Sequence, residues 1–283
     1  MPPGGTLYVV ATPIGNLEDI TLRALKVLKS VQLVAAEDTR RTGNLLRHYD
    51  IHTSILSVHE HNERARVQGL LGRLAKGESV ALVTDAGTPG VSDPGAALVA
   101  AVRDAGFRIE PIPGPSAIAA AFSASGISSD GFTFLGFPPI RLKDRNKWLQ
   151  ALTEATKTRA VVFFEAPHRV RRTLEDIAVL VKRPIMAGRE LTKIHEELTW
   201  GTPAELFERF TSPVGEFTII VPPVDPAEKR TEAPPDDEVV RIFGQITEND
   251  HPKSRREAAR MAGERLGMTA KDVYRVLERV KLG

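Results

Sequence analysis

A loop rich in glycine and proline follows an apolar run in the first third of the chain, at residues 84–95 (TDAGTPGVSDPG). The apolar run, Val80 to Val83, predicts a buried parallel strand, and α/β proteins bind ligands at the carboxyl ends of such strands. Glycine at positions 87, 90 and 95 permits positive φ angles and a close approach of the backbone to a ligand. This segment therefore predicts a binding loop made largely of peptide groups.

Two more loops of this kind follow predicted strands. Pro13-Ile14-Gly15 comes after the apolar residues Thr6 to Ala11, and Pro113-Gly114-Pro115-Ser116-Ala117 comes after Arg108 to Ile112. A plain turn between a strand and a helix rarely needs so many special backbone positions. Because parallel strands present their carboxyl ends at one edge of a sheet, we expect the three loops to line one cleft.

The sequence excludes several other chemistries. No two glycines are separated by one residue, so the G-x-G core of dinucleotide-binding and common methyltransferase motifs is absent, and no G-x-x-x-x-G-K-[ST] phosphate loop occurs. The chain has no cysteine, which excludes disulfides, thiolate zinc sites and cysteine nucleophiles and suits a reducing cytoplasm. His59-Glu60-His61 lacks a third ligand at metal-site spacing, so we expect no metal site.

Strands alternate with helices through the first 114 of the 283 residues, which predicts an α/β domain with a mostly parallel sheet at 1–114. Residues 115–223 predict a second α/β domain with more antiparallel pairing, and 224–238 form an acidic, proline-bearing linker. The predicted helices include residues 44–49, 95–105, 147–155 and 170–181. No window approaches eighteen consecutive apolar residues, so we expect no membrane segment.

Residues 239–283 predict a helical module. From His251 to Gly283 the chain has nine Lys or Arg residues against four Asp or Glu. A helix, a turn at Gly267 and a second helix capped by Thr269 have the spacing of a helix-turn-helix, with Val273, Val276, Leu277 and Val280 facing inward. Such a basic module either binds nucleic acid or forms a small helical bundle that only packs, and the sequence does not separate these alternatives.

Five segments together resemble one known family. They are ATPIGNLEDIT at 11–21, AEDTR at 36–40, TDAGTPGVSDPG at 84–95, PGPSA at 113–117 and FEAPHR at 164–169. In this order they resemble the tetrapyrrole methylase family and, within it, the enzymes that methylate ribose 2'-hydroxyls of small-subunit ribosomal RNA. The resemblance implies two α/β domains with S-adenosylmethionine in the cleft between them, a small C-terminal helix-turn-helix-like domain, and a homodimer in the cytoplasm.

The resemblance also implies a set of residues that bind the cofactor. One departure concerns Gly87-Thr88-Pro89, which stands where relatives have Gly-Asp-Pro, while Asp85 lies two residues before Gly87. Phe163 or Phe164 would contact the adenine, and a residue among 187–191 would complete the wall. The implied cofactor-binding residues are Pro13, Ile14, Asp85, Gly87, Thr88, Val91, Ser116, Ala117, Phe163, Phe164 and Leu191.

The implied reaction is 2'-O-methylation of a decoding-region cytidine in 16S ribosomal RNA of the small ribosomal subunit. A methyl group on a sulfonium is already activated, so positioning supplies much of the catalysis. A ribose 2'-hydroxyl is a poor nucleophile at neutral pH, so a proton acceptor should assist. The candidates for this acceptor are Glu37, Asp38 and, in the shorter set that we favour, Asp85, Glu165, His168 and Glu190.

Arginine suits bidentate contact with RNA phosphates. The predicted RNA-binding residues are Arg40, Arg41, Arg169, Arg172, Arg189, Lys253, Arg255 and Arg256. Two other functions stay open from the sequence: a small-molecule methyltransferase of the same fold that acts on a tetrapyrrole precursor, and a noncatalytic RNA-binding protein of ribosome assembly.

Overall fold

A computed structural model describes residues 4–225, 234–249, 252, 254–266 and 268–281. The chain divides into two compact units, residues 1–222 and 223–283. The predicted linker falls partly on residues 226–233, which lie outside the described residues.

The first sheet contains five strands in the order β3-β2-β4-β1-β5, and every neighbouring pair is parallel. All residues of β2 and β4 are buried, as expected where helices cover both faces of a parallel sheet. This confirms the predicted α/β architecture. The strands are β1 (Thr6–Val10), β2 (Leu33–Ala36), β3 (Ile55–Ser57), β4 (Val80–Val83) and β5 (Arg108–Ile112).

Helices α1 and α2 pack on one face of this sheet, and α3 and α4 pack on the other. Helix α2 begins five residues before the predicted Asn44, because the Asp38 side chain caps it by accepting a hydrogen bond from the Arg40 N–H. Thr21 caps α1 in the same way. The helices are α1 (Leu22–Ser30), α2 (Thr39–His48), α3 (Glu63–Ala75) and α4 (Ala96–Asp104).

The second sheet has the order β6-β7-β10-β8-β9 and is mixed, since only β6 and β7 pair in parallel. The predicted shift toward antiparallel pairing is therefore confirmed. Strand β9, an edge strand with only two large apolar residues, and helix α8 were not predicted. The strands are β6 (Phe132–Phe134), β7 (Ala160–Glu165), β8 (Ile185–Arg189), β9 (Glu197–Gly201) and β10 (Phe217–Val221).

Helices cover this second sheet unequally. The packing of α6, α7 and α8 forms a large core on one face, whereas α5 covers part of the other face. The predicted boundary after residue 114 falls between β5 and α5 and stays a prediction. The helices are α5 (Ala117–Ala124), α6 (Leu142–Ala155), α7 (Pro167–Ala178) and α8 (Pro203–Arg209).

The unit at 223–283 contains three helices among its described residues, α9 (Asp236–Asn249), α10 (Arg255–Leu266) and α11 (Ala270–Lys281). The Thr269 hydroxyl accepts a hydrogen bond from the Asp272 N–H and caps α11, as predicted. Val280 is exposed, contrary to the prediction. Within the described parts of the chain, no helix is both long and apolar enough to cross a membrane.

Candidate active site

The loops after β1 and β4 are joined at the carboxyl edge of the first sheet. The Thr12 N–H donates to the Gly87 carbonyl at 2.9 Å, and the Gly87 N–H donates to the Thr12 carbonyl at 3.1 Å. The buried Thr12 hydroxyl also donates to the Thr84 carbonyl at 3.1 Å. These three bonds hold the first loop against the loop at 84–95, as expected for neighbouring parallel strands.

The loop at 84–95 uses its glycines as predicted. Gly87, Gly90 and Gly95 have φ angles of +75°, +82° and +124°. At Gly95 a Cβ atom would also lie 2.9 Å from Leu82, so both the backbone angle and the packing require glycine. Ser92 has a φ of +63° as well, which is uncommon for a residue other than glycine.

The first loop also contacts the segment after β8, in the second half of the same unit. A Cβ atom on Gly15 would lie 2.5 Å from Lys193 and 2.8 Å from the Leu191 carbonyl, so only glycine fits this approach. The Asn16 N–H donates to the Thr192 hydroxyl at 3.0 Å. Loops that follow strands of both sheets therefore meet at one place.

The third loop ends at Ser116, the N-cap of α5. Its hydroxyl accepts a long hydrogen bond, 3.5 Å, from the Ala119 N–H. Ser116, Ala117 and Ile118 at the start of α5 lie where the loops meet. The N-terminal end of the helix, with its free N–H groups and the positive end of its dipole, therefore faces this place.

A cavity of about 370 Å³ opens among these loops, which falls in the range of small-molecule sites. Its wall is mostly apolar, and the rings of Phe137 and Phe164 lie 5.5 Å apart at one side. No Lys or Arg is among the described residues that line it. The lining residues are Ile14, Ala86, Gly87, Thr88, Val91, Ser92, Asp93, Ser116, Ala117, Ile118, Phe137, Phe164, Glu165, Ala166, Pro167, Leu191, Glu216, Phe217 and Thr218.

Eight of the predicted cofactor-binding residues line this cavity: Ile14, Gly87, Thr88, Val91, Ser116, Ala117, Phe164 and Leu191. Pro13, Asp85 and Phe163 do not. Successive side chains of a strand point to opposite faces, so Phe164 faces the cavity while Phe163 is fully buried in the core under α6 and α7. The Asp85 carboxylate instead accepts a hydrogen bond from the Asp38 N–H at 3.0 Å.

The cavity also contains residues that the sequence analysis did not select, above all Ser92, Asp93, Phe137 and Glu216. Asp93 lies in the same glycine-rich loop as Thr88, so its position in the motif was an available signal. Phe137 and Glu216 come from parts of the second sheet that no motif marked, and only the fold brings them to the cavity.

Glu165 lines the cavity, but its carboxylate is occupied. It accepts hydrogen bonds from the Ala166 N–H at 2.8 Å and from the Thr173 hydroxyl, and it lies 3.2 Å from the Arg169 guanidinium. Arg145 in turn donates to Thr173. This buried network ties the end of β7 to α6 and α7 and occupies the Glu165 carboxylate with structural contacts.

The other predicted proton acceptors lie outside the cavity wall. The Glu190 carboxylate accepts hydrogen bonds from Lys193 and from the Glu216 N–H, and the lysine lowers its pKa. His168 is exposed on α7. Asp38 pairs with Arg40, which lowers the pKa of this carboxyl.

Asp93 differs from these carboxyls. It is half-buried at the cavity, and burial together with the negative charges of Glu37 and Asp85 raises its pKa to about 7. A hydrogen bond with Thr84 opposes this rise. Burial also raises the pKa of Glu37, whose carboxylate accepts from the Asp85 N–H at 3.4 Å.

The predicted RNA-binding arginines fall into separate groups. Arg41 is exposed and lies 3.5 Å from Asp85, while Arg40 extends beside Asp38. Arg169 pairs with Glu165 and donates to the Pro138 carbonyl, and Arg189 pairs with Glu197. Arg172 is exposed on α7, as are Arg255 and Arg256 on α10. Lys253 lies outside the described residues.

Comparison with known proteins extends the similarity across the chain. The chain is 45% identical over 229 residues to ribosomal RNA small subunit methyltransferase I of Synechocystis, a match that covers 80% of this chain and 81% of the relative. It is 43% identical to the protein of the same name from Xylella fastidiosa, over 97% of this chain and 99% of the relative. The similarity to the Xylella protein thus includes the C-terminal unit.

A solved structure shares the fold. Uroporphyrin-III C-methyl transferase from Thermus thermophilus, in complex with S-adenyl homocysteine, aligns with a TM-score of 0.55 at 18% identity, covering 76% of this chain and 97% of that one. The sequence profile of the Tetrapyrrole (Corrin/Porphyrin) Methylases matches residues 6–206, which span both sheets except for β10. The chain therefore belongs to the tetrapyrrole methylase family.

Proposed function

We propose that this protein is an S-adenosylmethionine-dependent methyltransferase that modifies 16S ribosomal RNA in the small ribosomal subunit, at the ribose 2'-hydroxyl of a decoding-region cytidine. The observation that carries the proposal is the 43% identity over 97% of the chain to a protein named ribosomal RNA small subunit methyltransferase I. A cavity at the carboxyl edge of the first sheet supplies a place for the methyl donor.

The chemistry of the cavity fits S-adenosylmethionine. Phe137 and Phe164 offer aromatic faces to a flat base, and Ile14, Val91 and Leu191 offer an apolar surface beside a sulfonium. The wall has three carboxyl groups and, among its described residues, no Lys or Arg, which suits a cationic ligand. When bound, the cofactor supplies an electrophilic methyl group.

The residues of the chain would act mainly by positioning. Peptide groups at 86–88 and the first turn of α5 would hold the polar ends of the ligand, because their hydrogen-bonding groups are fixed before it arrives. The bonds between Thr12 and Gly87 keep the two loops in register. Such fixed geometry lowers the entropic cost of bringing two reactants into line.

For the RNA, we propose contacts with phosphates by the predicted arginines. Arg40, Arg41 and Arg172 are exposed in the first unit, and Arg255 and Arg256 are exposed on α10. Arg169 and Arg189 already pair with carboxylates, so they are weaker candidates than the exposed residues.

We further propose a homodimer that works in the cytoplasm, where the ribosomal substrate is found. Leu198 and Trp200 lie two residues apart on edge strand β9, on the same face of the sheet, and expose 41% and 45% of their surface. A second copy of the chain would cover such an apolar edge. Light scattering of the purified protein would show the mass of a monomer if this is wrong.

The decisive experiment mixes purified protein, methyl-labelled S-adenosylmethionine and small subunits from cells that lack the modification. Label is expected in 16S ribosomal RNA, at a ribose 2'-oxygen. A Thr88→Trp variant serves as the control, because the larger side chain fills the cavity at a residue of its wall. This variant is expected to fold, to lose cofactor binding in calorimetry and to transfer no label.

Absence of label from the RNA would overturn the proposal. Transfer to a tetrapyrrole precursor instead would favour the small-molecule methyltransferase. Binding of small subunits and cofactor with no transfer would favour a noncatalytic assembly protein. Unchanged cofactor affinity in Thr88→Trp would show that the ligand binds elsewhere.

A further inference from the structure

Three carboxyl groups line the cavity, and they differ in what already occupies them. The Glu165 carboxylate accepts hydrogen bonds from Ala166 and Thr173 and pairs with Arg169. The Glu216 side chain is 69% exposed and lies 3.2 Å from the Lys193 ammonium. Among residues 4–225, no basic side chain forms an ion pair with Asp93. Asp93 is thus the lining carboxyl that is free of a cationic partner.

The surroundings of Asp93 favour a proton on it. The acidic neighbours that act on it are Glu37 from the end of β2, Asp85 from its own loop, and Glu216 before β10. The Thr84 hydroxyl offers a hydrogen bond. The basic groups near these carboxyls pair with them and not with Asp93: Arg41 lies 3.5 Å from Asp85, and Lys193 lies 3.2 Å from Glu216. The charges facing Asp93 are therefore mainly negative, in keeping with its raised pKa.

The backbone holds Asp93 in a defined place. Ser92 before it has a φ of +63°, and Gly95 after it has a φ of +124° with no room for a Cβ. The Gly90 N–H donates to the Pro94 carbonyl at 3.1 Å, which closes the loop around Ser92 and Asp93. The φ angle of Ser92 costs energy in a residue other than glycine, and such angles often mark functional positions.

We propose that the Asp93 carboxylate is the general base that accepts the proton of the ribose 2'-hydroxyl. This inference rests on the proposed function. In the step, an electron pair of the 2'-oxygen forms the new bond to the methyl carbon, the carbon–sulfur bond breaks with its pair going to sulfur, and the hydroxyl proton moves to Asp93. The products are the 2'-O-methyl ribose, a neutral thioether and a protonated Asp93.

An acceptor that titrates near neutral pH matches this task. A carboxylate with an ordinary pKa would be a weak base toward a hydroxyl, whereas one that titrates near pH 7 accepts a proton more readily and is still largely ionised at pH 7.5 and above.

The first test compares Asp93→Asn with the wild type on small subunits. The amide keeps the size of the side chain but cannot accept the proton, so kcat is expected to fall by about 10²- to 10⁴-fold. Calorimetry should show that Asp93→Asn still binds the cofactor, with a lower affinity than the wild type because one of the three carboxylates that face the cation is lost. Asp104→Asn is the matched control, because it makes the same change on an exposed residue at the far end of α4.

The second test follows the titration of the carboxyl in the free protein. With ¹³C-labelled aspartate, the signal that disappears in Asp93→Asn is expected to titrate near pH 7. In Glu37→Gln one negative neighbour is lost, so the titration should move to lower pH. The acidic limb of the kcat/KM profile, which reports groups of the free enzyme, should move by the same amount, a coupling that a merely structural role would not produce.

The outcomes separate the two proposals. If the wild type transfers no label to RNA, the proposed function fails, and the inference falls with it. If the wild type is active but Asp93→Asn retains more than about a tenth of its kcat, the inference fails alone. A titration of Asp93 near pH 4, or an acidic limb that Glu37→Gln leaves in place, would also overturn the role of Asp93.

Discussion

The loop at 84–95 and the segment at 164–169 meet at the same cavity, yet the carboxyl groups of the two segments have opposite surroundings. In the segment, Glu165 is buried and bound by Arg169 and Thr173. In the loop, Asp93 is half-buried beside Glu37 and Asp85 and lacks a cationic partner among the described residues of its unit. Both residues belong to motifs that the family resemblance marks.

The difference shows that position at a cavity does not by itself make a carboxylate reactive. The Glu165 carboxylate is bound by Arg169 and Thr173 and contributes to structure. Burial and the neighbouring negative charges raise the pKa of Asp93 to about 7, so this carboxyl gains a proton near neutral pH. The same residue class thus stabilises one wall of the cavity and supplies reactivity at the other.

Glu165→Gln should have the largest effect on stability. The amide leaves the Arg169 guanidinium without its buried counter-charge, and breaking such a pair costs about 3 to 5 kcal/mol. Urea denaturation at pH 7.5 should show this loss in the free energy of unfolding. Glu175→Gln, the same change at an exposed residue of α7, is the control and should have little effect. If Glu165→Gln is as stable as Glu175→Gln, the network around Glu165 does not stabilise the protein.

Gly95→Ala should have a smaller but clear effect on the loop. The residue has a φ of +124°, and the new Cβ would lie 2.9 Å from Leu82, so we expect a loss of about 2 kcal/mol. Gly106→Ala is the matched control at the other end of α4, because its φ is +77° but nothing lies within 4 Å of the added Cβ. Thermal melts should rank Gly95→Ala as the less stable variant. An equal loss in both variants would show that packing against Leu82 does not matter.

Asp93→Asn should have the smallest effect on stability, and its sign depends on pH. The folded pKa of about 7 exceeds the ordinary value of 3.8, so the stability associated with the protonated carboxyl is fully present below about pH 4 and is lost as the pH rises through 7. At pH 8 the amide removes the cost of the charge. The Tm of Asp93→Asn should therefore exceed that of the wild type at pH 8 and match it near pH 4.

Solvent screens this partly exposed carboxyl, so the gain at pH 8 is on the order of 1 kcal/mol. Asp104→Asn should leave Tm unchanged at both pH values. A lower Tm for Asp93→Asn at pH 8 would show that the ionised carboxylate stabilises the loop, which would remove the contrast with Glu165.

Much of the fold followed from local patterns. The apolar runs that became β2 and β4 are buried on both faces, a pattern typical of parallel strands. The glycines at 87, 90 and 95 adopt the predicted positive φ angles. The start of α2 was misplaced, because the capping role of Asp38 outweighed the weak apolar periodicity before Asn44. Strand β9 was missed because only two of its residues, Leu198 and Trp200, are large and apolar.

The site was harder to predict in detail. The resemblance selected both Phe163 and Phe164, and only the direction of the strand relative to its two cores separates them. Asp85 was selected from its place two residues before Gly87, and Asp93 was not considered. The Asp85 carboxylate turns away to the Asp38 N–H, which depends on how β2 and β4 lie side by side.

By itself, the sequence determined the class of the fold, the loops at the carboxyl edge and the family, because strand burial, glycine angles and motif spacing are properties of short segments. The tertiary structure alone decided which carboxyl groups are held in ion pairs and which face other negative charges. Those properties depend on side chains that are far apart in the chain, such as Glu37, Asp93 and Glu216, and only folding brings their charges within range of each other.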